Sequence, residues 1–184
     1  MRCFFGLELE PNDKLAIDRW RSVSLPPLDN PVSADNLHIT LAFLGQVEVA
    51  RIEALAEAAS KVRASEFSLL VDQLGYWSKP KTLWIGPTLV APALEDLAGK
   101  LGQLASRFGL PRDSRPYIPH ISLFRKQSDN PPAALMPPAF ELEFRRFCLF
   151  ESLSTKTGVR YRVLECWPLV SEMSIRDRLR KGRI

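Results

Sequence analysis

The sequence predicts an α+β fold built from two similar modules, and three observations carry that prediction. Strand-like and helix-like segments run strand, helix, strand, helix, strand, strand, helix, strand and then further strands. The chain's two histidines fall in almost identical strand contexts, His38-Ile39-Thr40-Leu41 and His120-Ile121-Ser122-Leu123. The C-terminal third alternates apolar and polar residues around a polar turn, as a hairpin does.

Arg2 to Glu10 reads as a strand that breaks at Pro11. Asn12 is placed to cap a helix through about Ser24, with Leu15, Ile17 and Trp20 on its apolar side. The three prolines between Leu25 and Leu37 predict a loop leading into the first histidine strand. From Ala50 to Ala64, Ile52, Leu55, Ala56, Ala59 and Val62 recur at helical spacing. Glu66 to Val71 alternates as a half-buried strand, and Thr82 to Ile85 is a short strand closed by Gly86-Pro87. The helix from Pro92 to about Phe108 carries Leu94, Leu97, Leu101, Leu104 and Phe108 on one face and stops at Gly109 and Pro111. Tyr117 to Phe124 is the second histidine strand, and the prolines from Gln127 to Pro138 exclude helix or central strand there. Phe140 to Phe144, Arg146 to Phe150 and Tyr161 to Trp167 complete the strands, with Ser154 to Gly158 as the turn.

Composition narrows the function. A chain of 184 residues with 46% hydrophobic and 25% charged residues is ordinary for one soluble domain spanning 1–184. Glu8 and Glu10 interrupt the first apolar stretch, and no run is long enough to span a membrane, so the expected location is cytoplasmic. Cys3, Cys148 and Cys166 lack metal-ligand spacing and are expected to be buried free thiols. The net charge of +4 lies wholly in the tail, residues 174–184, where Arg176, Arg178, Arg180, Lys181 and Arg183 face one Asp177. Such a tail either neutralises phosphates of a nucleic acid or is a solvated end.

The histidine motifs carry the chemistry. In a strand, alternate residues share a face, so His38 with Thr40, and His120 with Ser122, each present an imidazole and a hydroxyl on one side. A solitary strand histidine is ordinarily structural. Recurrence of the same context around the only two histidines favours a paired general acid and base instead. No metal site is expected, because the histidines are far apart in sequence and no carboxylates cluster near them. No phosphate-binding glycine loop is present, which disfavours an ATP-dependent ligase.

These motifs, inside Leu37 to Gly45 (LHITLAFLG) and Pro119 to Arg125 (PHISLFR), resemble those of the two-histidine phosphoesterases, specifically the bacterial and archaeal RNA 2′,3′-cyclic phosphodiesterases, or 2′-5′ RNA ligases. Arg2 to Glu10, Leu83-Trp84-Ile85-Gly86 and Leu149 to Leu169 are similar to that family's other strands, so the resemblance covers almost the whole chain. It departs at Ser122, where threonine is more usual, with the hydroxyl retained. The resemblance implies two pseudo-symmetric lobes of antiparallel sheet, helices on the outer faces and an active-site groove between them. It implies hydrolysis of RNA 2′,3′-cyclic phosphate ends, tRNA fragments among them, to 2′-phosphomonoesters by a monomer without cofactor or metal, and reversal to 2′-5′ ligation. His38 is then the proton donor and His120 the base, although the near-identical motifs alone leave the roles open. Thr40, Ser122, Arg125 and Tyr117 are the expected substrate-binding residues. Strand parity turns Arg125 away from the groove unless the strand bulges near Phe124. Phe43, Tyr76, Trp77 and Tyr117 are candidates to stack on a base, with Phe43 assigned by parity to the core. Alternatives are the same site acting on 2′-5′ oligoadenylates or small cyclic nucleotides, and an RNA-binding module without turnover.

Overall fold

The computed structural model describes residues 1–111, 115–129, 133–156 and 158–171. The basic stretch 174–184 lies outside the described residues. Nine strands and three helices appear among those described: β1 (Arg2–Glu8), α1 (Pro11–Ser24), β2 (His38–Gln46), α2 (Val49–Ser60), β3 (Phe67–Val71), β4 (Gln73–Trp77), β5 (Thr82–Gly86), α3 (Pro92–Arg107), β6 (Ile121–Phe124), β7 (Phe140–Phe144), β8 (Arg146–Thr155) and β9 (Gly158–Pro168). Two antiparallel sheets each carry one histidine motif. One has the order β2-β1-β8-β9, the other β4-β5-β6, and β3 pairs with β7 beside them. This is the α+β architecture expected, with the apolar faces of α1, α2 and α3 packed into one contiguous core. No helix among the described residues is long and apolar enough to cross a membrane.

The differences from expectation have local causes. Helix α1 starts at Pro11, with Glu10 as its N-cap, because proline suits the first helical turn, where its missing N–H costs nothing. Helix α2 ends at Ser60 rather than near Ala64. The loop before β2 contains one 3-10 turn, Ala34–Asn36. The second histidine strand begins only at Ile121, so His120 stands just ahead of β6 rather than inside it. Pro116 and Pro119 lack the N–H groups that pairing upstream would need. Strand β4 was not expected, since Gly75 interrupts its pattern. A Cβ at Gly75 would lie 2.2 Å from the Trp84 ring, so the glycine makes room for that indole.

Two further corrections follow from register. Cys148 and Cys166 are joined by a disulfide, against the expectation of three free thiols; only Cys3 is free, and it is buried. The hairpin of β8 and β9 pairs Cys148 directly with Cys166, a register that the sequence spacing does not display. Phe43 is 59% exposed rather than in the core. β1 pairs with β2 through register shifts at Leu41 and Leu44, and the one at Leu41, ahead of Phe43, brings Phe43 opposite Phe4, on the face that carries His38. An extra residue in a strand reverses the facing of everything beyond it.

Candidate active site

His38 opens β2 and lies against three aromatic rings. Its centroid is 4.8 Å from Phe4, 4.8 Å from Tyr161, which meets it edge-on, and 6.0 Å from Phe150. Phe4 and Phe150 stack on neighbouring strands at 4.9 Å, because Phe4 pairs directly with Phe150 in the sheet. The His38 Nδ1–H donates to the Asn36 carbonyl at 2.6 Å. A carbonyl only accepts, so this bond fixes the tautomer and leaves Nε2 with the lone pair. The Thr40 hydroxyl lies 3.0 Å from that Nε2 and donates to it.

His120 is held in the same way on the other sheet. Its Nδ1–H donates to the Ile118 carbonyl at 2.9 Å, leaving Nε2 unprotonated in the neutral ring. Trp77 meets the ring edge-on at 4.4 Å, and Trp84 lies 6.3 Å away. The Trp84 indole N–H is buried and has no hydrogen-bond partner among the described residues. Ser122 pairs with Trp84 across β5 and β6, which sets both on one side of the sheet. Among the described residues, no bond from Ser122 to His120 corresponds to the one from Thr40 to His38.

Arg125 shows why strand parity misled. Leu123 is an extra residue in the pairing of β5 with β6, which runs Trp84 to Ser122 and then Leu83 to Phe124. The bulge turns Arg125 back to the histidine side. Its guanidinium is close enough to lower the pKa of both imidazoles. Desolvation is the larger cause in each. It drives His38 from 6.5 down to about 4, with further lowering by Arg125, His120 and Lys14, against the raising effect of the Asn36 carbonyl. His120 is lowered by desolvation and then Arg125, opposed by the Ile118 carbonyl. His120 is among the groups that lower His38, so the two motifs stand near enough to act on each other electrostatically.

Tyr117 is not free to stack on a base with its hydroxyl idle. That hydroxyl donates to the Thr40 carbonyl at 3.0 Å and so links the approach to His120 with β2. Burial raises its pKa. The Tyr76 hydroxyl donates to the Gln127 carbonyl, whereas Trp77 stands beside His120. Two buried side chains escaped sequence reading. Asn36 bonds to the backbone of β9. The Gln127 amide donates to the carbonyls of Asp29 and Arg125, fixing the turn that carries Arg125. Their partners are remote in sequence, and no local pattern marks them. The side chains of Glu8, Cys148 and Cys166 converge within 4.8 Å, but the two sulfurs are bonded to each other, so they offer no metal a thiolate pair.

A sequence profile of the 2′-5′ RNA ligase superfamily matches residues 9–156. The chain is 35% identical over 171 residues to the RNA 2′,3′-cyclic phosphodiesterase of Escherichia coli K12, covering 91% of this chain and 96% of that protein. It is 28% identical to the protein of the same name from Aquifex aeolicus, covering 90% and 95%. Among solved structures, E. coli LigT complexed with 3′-AMP superposes with a TM-score of 0.86 at 35% identity, covering 92% of this chain and 98% of that one. The phosphate complex of E. coli LigT gives 0.82 at 33% identity, covering 92% and 97%.

Proposed function

We propose that this chain, which belongs to the 2′-5′ RNA ligase superfamily, hydrolyses the 2′,3′-cyclic phosphate ends of RNA to 2′-phosphomonoesters without a metal ion. The observation that carries the reading is the matched pair of imidazoles. Each has its Nδ1–H bound to the carbonyl two residues upstream, so each keeps Nε2 for proton transfer.

In this reading water attacks phosphorus in line with the departing ribose O3′. His120 Nε2 takes the water's proton as the P–O bond to water forms. His38, protonated in the bound complex, gives its Nε2 proton to O3′ as the P–O3′ bond breaks. Thr40, Ser122 and Arg125 meet the charge on the non-bridging oxygens. Two features support this division of roles. Among the described residues His120 Nε2 has no hydroxyl donating to it from Ser122, which leaves its lone pair for the attacking water. His38 is held by Thr40, whose hydroxyl can turn to the phosphoryl oxygen once Nε2 is protonated. Exchanging water for an RNA 5′-hydroxyl and running the steps backwards gives a 2′-5′ linkage. We read residues 1–184 as one monomeric unit, since both motifs contribute to a site on one chain. We place it in the cytoplasm, as its sequence leads us to expect.

The test is the pair His38→Ala and His120→Ala. Each should lower hydrolysis of a cyclic phosphate end by at least about 10²-fold with the fold intact, as loss of an acid or a base does. Near-normal turnover by either folded variant removes the two-histidine mechanism.

A further inference from the structure

We propose that Asn36 is the positioning residue for His38, acting by clamping the chain ahead of β2 onto β9. The side chain is 8% exposed, and both ends of its amide are used. Its Nδ2 donates to the Val159 carbonyl at 2.7 Å, and its Oδ1 accepts from the Tyr161 N–H at 3.1 Å. The same residue's backbone carbonyl accepts the His38 Nδ1–H. β2 and β9 occupy opposite edges of the four-stranded sheet, and this amide ties the turn that enters one edge strand to the other edge strand.

This clamp fixes two things that His38 needs. Held at both ends of its side chain, Asn36 presents its carbonyl at a set place, and the imidazole turns its Nδ1–H there. Tyr161, whose N–H the amide binds, supplies the ring that stands edge-on to His38 at 4.8 Å. Acceptor and wall are therefore set by one side chain. Ile118, which provides the carbonyl for His120, is 49% exposed with an apolar side chain, and the anchor there is its neighbour Tyr117 through one hydroxyl bond to Thr40. His38 is thus oriented through a side chain bonded at both ends, which suits a group that must deliver a proton along one line to a leaving oxygen.

The proposal rests on the acid–base reading of His38, and its test has a readout that does not depend on turnover. In Asn36→Ala, kcat on a cyclic mononucleotide should fall about tenfold with KM within about twofold, as expected for lost orientation rather than lost binding. Nitrogen NMR of the two imidazoles should show neutral His38 passing from a single Nδ1–H tautomer to a mixture, with His120 unchanged. An unaltered His38 tautomer with kcat within about twofold of wild type overturns the proposal. Equal shifts at both histidines also overturn it, because they mark a general loosening. If Asn36→Ala does not fold, Asn36→Asp decides by the same signals: it keeps the acceptor for Tyr161 N–H and loses the donor to Val159. Full activity in His38→Ala would instead defeat the catalytic reading and leave the tautomer result standing.

Discussion

Saturating the free protein with a tetrahedral anion should raise the pKa of His38 by about three units. In the free protein, desolvation and then Arg125, His120 and Lys14 hold that imidazole at about 4, against the ordinary 6.5. The difference corresponds to about 3 kcal/mol against the imidazolium. An anionic charge about 4 Å away, at an effective dielectric constant near 20, contributes about 4 kcal/mol in the opposite sense. The anion therefore offsets the penalty and brings His38 close to 7, where a general acid for neutral solution should lie. Because the chain has only two histidines, nitrogen-detected imidazole titration reports His38 and His120 alone, and His120→Ala assigns them. Sulfate is the suitable probe, since its charge is constant across the titration. A His38 pKa at or above 6.5 in the free protein, or one unmoved by saturating sulfate, refutes this reasoning.

Arg125→Gln should raise both histidine pKa values and raise KM, since the same guanidinium lowers both groups and is assigned to phosphate; unchanged pKa values would separate it from the site. Stability should be full above about pH 6.5 and decline as pH falls toward 4, because the unfolded chain takes up these two protons first, and His38→Ala should lessen the decline in a denaturant series. Gly75→Ala should lower stability by about 1–3 kcal/mol and depress activity, because its Cβ meets the Trp84 ring beside His120. Gly99→Ala, in α3 with nothing within 4 Å, should hold or raise the melting temperature, and equal losses in the two variants would contradict the packing argument.

The histidine motifs, the three helices and most strands were legible because each is a local pattern with its own period. Facing was legible only as far as the first bulge. Parity put Phe43 in the core and Arg125 away from the groove. Extra residues at Leu41 and Leu123 reverse those assignments, and bulges are set by pairing with another strand. The Cys148–Cys166 bond depends in the same way on how β8 and β9 align. Asn36 was invisible because its side-chain partners lie 123 and 125 residues away. Gln127 was hidden for the same reason, with its Asp29 partner 98 residues distant. β4 escaped because Gly75, which reads as a break in a strand, is there to admit an indole.

The most direct measurement is turnover of a 2′,3′-cyclic mononucleotide by chelator-treated protein, with the phosphate position of the product identified. Two imidazoles acting as acid and base predict undiminished activity and a 2′-phosphate as the sole product. Loss of activity restored by a divalent ion, or release of the 3′-phosphate, would contradict the account.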